Sequence, residues 1–321
     1  MSSDIVMTEK EAVEKFVHDG DCLALGGFVT NRRPYAMVRE IIRQGIKNLY
    51  LEGGPSGGDM DMLIGVGAVT AMNAAYISNA AFSAVCRRYT DAVIHHKILY
   101  EDYSMDVQTI LYHAAALGLP YVPVKNMLGS DLADKWGISE EERKKHPKLP
   151  PVKFLIEDDP FHPGEKLCLI PTPTIDVAII HAQYASPDGT VRIVGPVFQD
   201  EDIAIAARRT IVSYEHLISN EEIRRNPELN TLPGLSVDAV VPLKFGASPS
   251  QCFGCYDYDV RDYRIYAQAS RTQEDFDRYI QDTVFAHPSH KDWLAAKNAD
   301  WLLTLEVQPD KGYVPGLNSM E

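Results

Sequence analysis

The run Asp19-Gly20-Asp21-Cys22-Leu23-Ala24-Leu25-Gly26-Gly27-Phe28-Val29-Thr30-Asn31-Arg32-Arg33-Pro34 sets a paired glycine directly behind a short apolar stretch and two arginines just ahead of a proline. If Cys22–Leu25 is a buried strand, Gly26 and Gly27 bring bare backbone amides to the carboxyl end of a sheet, where open α/β folds bind ligands. Fixed N–H donors at that place can receive a carbonyl oxygen that turns negative during acyl transfer, with little reorganisation. A plain tight turn is the competing reading of a Gly-Gly pair. The two arginines that follow favour a ligand, because guanidinium offers a planar fork of donors to a carboxylate.

A second glycine-rich run, Gly53-Gly54-Pro55-Ser56-Gly57-Gly58-Asp59, follows another apolar stretch and is expected on the same sheet edge. Gly53, Gly54 and Gly57 suit either a phosphate-bearing ligand or close packing against another chain. No Gly-Lys-Ser/Thr follows, so a nucleotide P-loop is not supported. Ser78, Asn79 and Ser83, around Ala80, offer side-chain donors at the end of a third apolar stretch, or equally a self-satisfied turn. Cys252-Phe253-Gly254-Cys255 has no second ligand pair at zinc spacing and no helix start behind it, so neither metal nor redox chemistry is expected there. His95, His96 and His113 read as surface or core residues, and no metal site is expected.

These candidates need a scaffold that brings strand ends together. Thr8 and Glu11 have capping-box spacing, followed by Ala12, Val13, Phe16 and Val17 at helical intervals, which predicts a helix over about residues 9–18. Strand 22–25, helix 35–44 after Pro34 and strand 48–51 continue the pattern. Strands are predicted again at 177–181, 210–213 and 237–241, with capping pairs at Ser139/Glu142, Ser219/Glu222 and Thr272/Asp275. Such alternation implies an α/β fold with a mostly parallel open sheet flanked by helices. The chain is read as one domain over 1–321, interrupted around 129–173 by a charged, proline-rich insertion whose charge run should be a solvated helix face. The stretch from Trp293 to Glu321 is expected to lie on the surface or fray.

The 321 residues are 45% apolar and 24% charged, enough for a substantial core. Lys and Arg total 31 against 45 Asp and Glu, a net charge of -14 that disfavours nucleic acid and anionic membranes as partners. No apolar window approaches the roughly eighteen residues of a membrane span, and the start lacks a signal-peptide pattern. A cytoplasmic location is expected, and the five scattered cysteines read as reduced thiols.

The Asp19–Pro34 run resembles the signature of the family I coenzyme A transferases: Asp-Gly, two variable residues, three apolar residues, Gly-Gly-Phe, then a spaced Gly and Pro. It matches at Asp19, Gly20, Leu23 to Phe28 and Pro34, and departs at Arg32, where the general signature has glycine. Arg32-Arg33-Pro34-Tyr35-Ala36 is similar to the glutaconate-type A subunits of that family. So are Asp61–Gly65, Glu101–Ser104, His113–Pro120, Trp136–Ser139, Ala185–Ile193 and Tyr256–Asp259. The resemblance implies an A subunit that works only with a B subunit in a hetero-oligomer, moving coenzyme A between an acyl-CoA and a small, dicarboxylic acid. It implies a glutamyl thioester formed on the B subunit, so no catalytic nucleophile on this chain, and no permanently bound cofactor, coenzyme A thioester being substrate. It assigns Gly26 and Gly27 to the oxyanion and acyl pocket with Phe28 as its wall. Arg32, Ser78, Asn79 and Ala80 fall to acid binding, and Gly53, Gly54 and Gly57 to coenzyme A or the interface with the partner. The glutaconate type carries serine where Ala80 stands. Decarboxylases and acyl-CoA hydrolases on the same scaffold are the alternative activity.

Overall fold

The computed structural model describes residues 5–314. Its centre is strand β1 (Cys22–Leu25), all four residues of which are buried. Leu23 and Leu25 enter one apolar layer and Ala24 the opposite one, so the strand is covered on both faces, as interior strands of parallel sheets are. The chain moves outward on one side through β2 (Leu49–Ser56), β3 (Val69–Ile77) and β4 (Leu99–Asp102). It then leaves the sheet to form β5 (Tyr121–Val124), β6 (Leu155–Asp158) and β7 (Lys166–Pro171), a separate antiparallel sheet in the order β5-β7-β6.

The chain returns on the far side of β1 as β8 (Val177–Ala185), from which β9 (Val191–Arg192) folds back antiparallel, and ends the sheet with β10 (Arg209–Leu217) and β11 (Ala239–Pro242). The order is β11-β10-β8-β1-β2-β3-β4, with every neighbour in that path parallel. Leu23 faces Leu51 on one side and Val177 on the other. The direction of winding reverses between β1 and β8, which is where open α/β sheets leave a crevice at their carboxyl edge.

Helices Glu9–Phe16, Tyr35–Arg43, Gly58–Gly65 and Gln273–Ile280 bury their apolar faces on one side of the sheet. Met105–Ala116 and Asp200–Ala206 cover the other, through Tyr112, Ile203 and Ala204. The capping pairs behave as their spacing predicts: Thr8 and Glu11 form a full capping box, and Ser139, Ser219 and Thr272 each accept from the amide three residues on. No helix among the described residues is long and apolar enough to cross a membrane.

Three expectations are corrected. Strand β2 does not stop at Leu51 but runs to Ser56, so Gly53 and Gly54 are strand residues and not a loop. The charge run near residue 140 is not wholly solvated, since Arg143 turns inward. Together with Lys153 it clamps Glu101, at 2.5 and 2.8 Å, and the Gly137 and Ile138 amides donate to the same carboxylate. A charge buried this deeply is tolerated only when fully paired, and here the pairing fastens the excursion to the end of β4. The C-terminal stretch is also more ordered than its composition suggests. Trp293 and Trp301 are buried against Tyr256 and Leu305 in an aromatic cluster, while residues 315–321 lie outside the described residues.

Candidate functional site

The glycine run turns at the carboxyl end of β1, beside the reversal in winding. Gly27 takes φ 80°, Val29 53° and Arg32 50°, so three residues of one short loop are left-handed. For a β-branched valine that conformation is strained, and surrounding contacts must hold it. Two buried arginines do so from opposite sides. Arg32 reaches toward β8, donating to the His181 and Pro196 carbonyls at 3.0 and 2.8 Å and pairing with Asp200 at 2.6 Å. Arg33 reaches toward β2, bridging Asp59 at 2.7 Å and the carbonyls of Leu25 and Gly27 at 3.0 and 3.3 Å.

Asp200 opens the helix Asp200–Ala206 and is fully buried. One carboxylate oxygen accepts from the Gly27 amide at 2.7 Å and the other from Arg32, so a single side chain joins the loop's first turn to its last. The need for glycine follows: a Cβ on Gly26 would lie 2.2 Å from the Asp200 carboxylate, and one on Gly27 2.3 Å from the Asn31 carbonyl. Gly54 likewise makes room for Gln199, whose side-chain oxygen would sit 2.0 Å from a Cβ there.

This arrangement changes the roles expected of three residues. The Gly26 and Gly27 amides are not bare donors, because they already bond the Ile179 carbonyl at 2.8 Å and Asp200 at 2.7 Å. Arg32 is not a free carboxylate clamp, because Asp200 neutralises its charge and two carbonyls take its remaining reach. Arg32 positions the loop. Arg32→Ala is therefore expected to lower the denaturant midpoint of unfolding, because Asp200 is left buried without its cation. An unchanged midpoint would show that Arg32 does not hold the loop.

An aromatic pair reaches the surface at this point. Phe28 stacks on Phe198 with ring centroids 4.7 Å apart, and the Arg32 guanidinium lies 5.9 Å from the Phe198 ring. Phe198, itself at φ 57° and 39% exposed, belongs to the segment leading into Asp200. The pair forms an apolar wall on the rim of the crevice, built from the β1 side and the β8 side together.

The other predicted residues fall along the same edge. Gly57 precedes helix Gly58–Gly65, and a Cβ there would meet the Val29 carbonyl at 2.4 Å, so the first loop leans on this turn. Asn79 accepts from the Gly58 amide at 2.7 Å, and Ser78 accepts from the Ala80 amide at 2.9 Å. Both side chains are buried, serving the turn rather than standing open. Ala80 is exposed, at φ 50°. Gly53, within β2, faces Met60 and Met72 in the core and lies apart from this rim.

Behind the rim, His181 of β8 hydrogen-bonds Ser213 and Glu215 of β10, both at 2.8 Å. Glu215 also accepts from the Tyr256 hydroxyl at 3.0 Å and from the Phe245 and Gly246 amides. This buried network ties two strand tips to the segment carrying Cys252 and Cys255. Burial raises the Cys252 thiol well above its usual range, which disfavours a reactive thiolate.

Asp200, Phe198 and Glu215 are not among the residues that the sequence singles out. Their link to the glycine loop spans 168 residues for Arg32–Asp200 and 173 for Gly27–Asp200, and nothing in local spacing announces it.

The family model for coenzyme A transferases matches residues 6–243. The A subunit of glutaconate CoA-transferase from Acidaminococcus fermentans is 53% identical over 308 residues, 96% of each chain. The A subunit of 3-oxoadipate CoA-transferase from Pseudomonas knackmussii is 33% identical over 285 residues, 87% of this chain and 93% of that one. The crystal structure of glutaconate coenzyme A-transferase from A. fermentans aligns with a TM-score of 0.96 at 52% identity, covering 98% of this chain and 99% of that one.

Proposed function

The chain belongs to the coenzyme A transferase family, and from that premise we propose that it is the A subunit of a two-chain enzyme whose B subunit carries the nucleophile. The observation that carries the split is the state of the carboxylates at the crevice. Asp200 and Glu215, the acids buried among the tips of β1, β8 and β10, are fully engaged in holding loops and are 0% and 5% exposed. A carboxylate nucleophile must approach an acyl carbonyl unencumbered. This edge supplies instead a rigid platform and the Phe28–Phe198 wall, against which a group brought by another polypeptide can work.

The reaction that fits is a relay. The first acyl-CoA loses its thioester to a glutamate of the B subunit, whose carboxylate attacks the carbonyl, forms a mixed anhydride and releases coenzyme A thiolate. The thiolate attacks the glutamyl carbonyl, expelling the first acid and leaving an enzyme thioester. The second acid repeats the steps in reverse and leaves as its own thioester. Both intermediates hydrolyse if water reaches them, so the apolar wall serves by keeping the site dry. Glutaconate and 3-oxoadipate, in the names of two similar proteins, are both dicarboxylic, which supports a dicarboxylic acid as substrate here. Its distal carboxylate is met by a group other than Arg32.

The test is reconstitution. This chain alone is expected to transfer no coenzyme A from acetyl-CoA to glutaconate, and addition of the B subunit to restore transfer. Borohydride should then trap a reduced glutamyl thioester on the B subunit. Turnover by the lone chain, or trapping on this chain, would overturn the proposal.

A further inference from the structure

Nothing in the spacing around Cys252 and Cys255 points to redox chemistry, and neither takes part in the transferase reading, yet the fold sets them as a pair. The Cys255 amide donates to the Cys252 carbonyl at 2.8 Å across Phe253 and Gly254, and Gly254 takes φ 78°, the left-handed backbone that a tight turn asks of its third residue. Cys252 and Tyr256 exchange amide-to-carbonyl bonds, both at 3.0 Å, so the turn closes a small hairpin. The first and fourth residues of such a turn have Cα atoms less than about 7 Å apart, which is the span a disulfide covers. Both side chains also leave the hairpin toward the same neighbours: Cys252 lies inside the aromatic cluster of Tyr256, Trp293 and Trp301, and Cys255 packs against it.

The two thiols differ in access. Cys252 is 0% exposed, and burial, followed by the adjacent Cys255 thiol, raises it well above the usual range. Cys255 is half-buried beside the exposed Phe253 and Gly254, so an oxidant meets it first, whereas Cys22, Cys86 and Cys168 are buried. The hairpin is also clasped to both sides of the crevice. The Gln251 amide donates to the Thr30 carbonyl at 3.0 Å, and the Gln251 carbonyl accepts from the Arg32 amide at 2.8 Å. On the other side the Gln183 side-chain amide donates to the Phe253 carbonyl at 3.1 Å, and the Phe253 ring lies against Gly195, in the segment that leads to the Phe198 wall.

We infer that Cys252 and Cys255 form a redox modification site, a reversible intrachain disulfide that tightens the hairpin clasping the glycine loop. The oxidant is a peroxide. The Cys255 thiolate attacks one peroxide oxygen, the O–O bond breaks, and hydroxide leaves while the sulfur becomes a sulfenic acid. Cys252 then gives up its proton, its sulfur attacks the sulfenic sulfur, and water departs as the S–S bond forms. Over both steps two thiols lose two hydrogens, and one hydrogen peroxide becomes two waters. Burial slows the deprotonation of Cys252, but the four-residue turn holds its sulfur beside the one it attacks. A dithiol reverses the bond by thiol–disulfide exchange. The inference stands apart from the transferase reading, because it needs neither acyl-CoA nor a second polypeptide.

Treatment of the folded full-length chain with hydrogen peroxide, followed by alkylation and peptide mass mapping, tests the inference. The peptide carrying both cysteines should resist alkylation, weigh two hydrogens less than its reduced form, and accept the alkylating agent again after dithiothreitol. Cys22, Cys86 and Cys168 should stay reduced throughout. Cys255→Ser should abolish the link, as should Cys252→Ala; the first substitutes the more open residue and serves if the second fails to fold. Amide hydrogen exchange at Gln251 and Arg32 should slow several-fold in the oxidised chain, because a cross-linked hairpin opens less often, and Cys255→Ser under the same treatment should show no slowing. Cys255 driven on to sulfinic acid with Cys252 still reduced, or both thiols surviving until the chain unfolds, would overturn the site. Unchanged exchange at both amides in the fully cross-linked chain would overturn its grip on the loop.

Discussion

Asp200→Ala is expected to destabilise the protein by about 3–5 kcal/mol, the usual cost of leaving one half of a buried ion pair behind. Arg32, 2% exposed, would keep its charge and only two carbonyl partners. The Gly27 amide would lose its acceptor at the same moment. Both ends of the loop come free together, so activity should fall with stability: the Phe28 wall loses the platform that sets its position. Asp200→Asn, which keeps shape and one acceptor, should fall between alanine and the native residue. Denaturant midpoints and kcat/KM of the assembled enzyme measure the pair of effects. An unchanged midpoint in Asp200→Ala would show that the loop is held by something else.

Gly27→Ala is expected to lower turnover about a hundredfold, the scale on which a displacement of about 1 Å in a positioning element acts. At φ 80° alanine incurs about 1–2 kcal/mol of left-handed strain. Its Cβ would also meet backbone on two sides, 2.3 Å from the Asn31 carbonyl oxygen and 2.8 Å from Arg32, and neither neighbour can swing away as a side chain can. Gly67→Ala separates the causes. Gly67 has φ 72° but open space around a Cβ, so that variant should show the strain and keep full turnover. Equal activity in the two variants would sink the steric argument.

Much of the scaffold is legible in the sequence because it is local. The capping pairs, the helix after Pro34 and the apolar run Cys22–Leu25 each rest on residues within one turn or one strand of each other. Leu23-Ala24-Leu25 without polar alternation identifies a strand buried on both faces, and so a parallel sheet. Local reading fails where local rules are overruled. Gly53, Gly54 and Pro55 look like a loop, but β2 continues through them because Gln199 and the methionines of the core need the missing side chains. Trp293 and Trp301 sit in a polar-looking stretch whose apolar partners are Tyr256 and Leu305.

At the site, the positions are legible and the partners are not. The run from Gly26 to Arg33 does lie at the carboxyl edge by the reversal in winding, as its glycines and arginines suggest. Whether an arginine faces a ligand or a carboxylate of its own chain depends on what the fold delivers. Asp200 is one acidic residue among 45, and only the return of the chain through β8 marks it out. The amides of Gly26 and Gly27 look free in the sequence for the same reason, since their acceptors, Ile179 and Asp200, arrive from the other half of the sheet.

The distance along the chain between Gly27 and Asp200 also has a consequence for biosynthesis. A ribosome releases the loop long before it has made the helix that locks it, and closing so long a segment is among the later events in folding. Until then Arg32 remains hydrated and the rim has no fixed shape. If, as proposed, a second polypeptide engages this rim, a truncated or half-made chain presents it with no finished surface, and assembly waits on completion of the sheet.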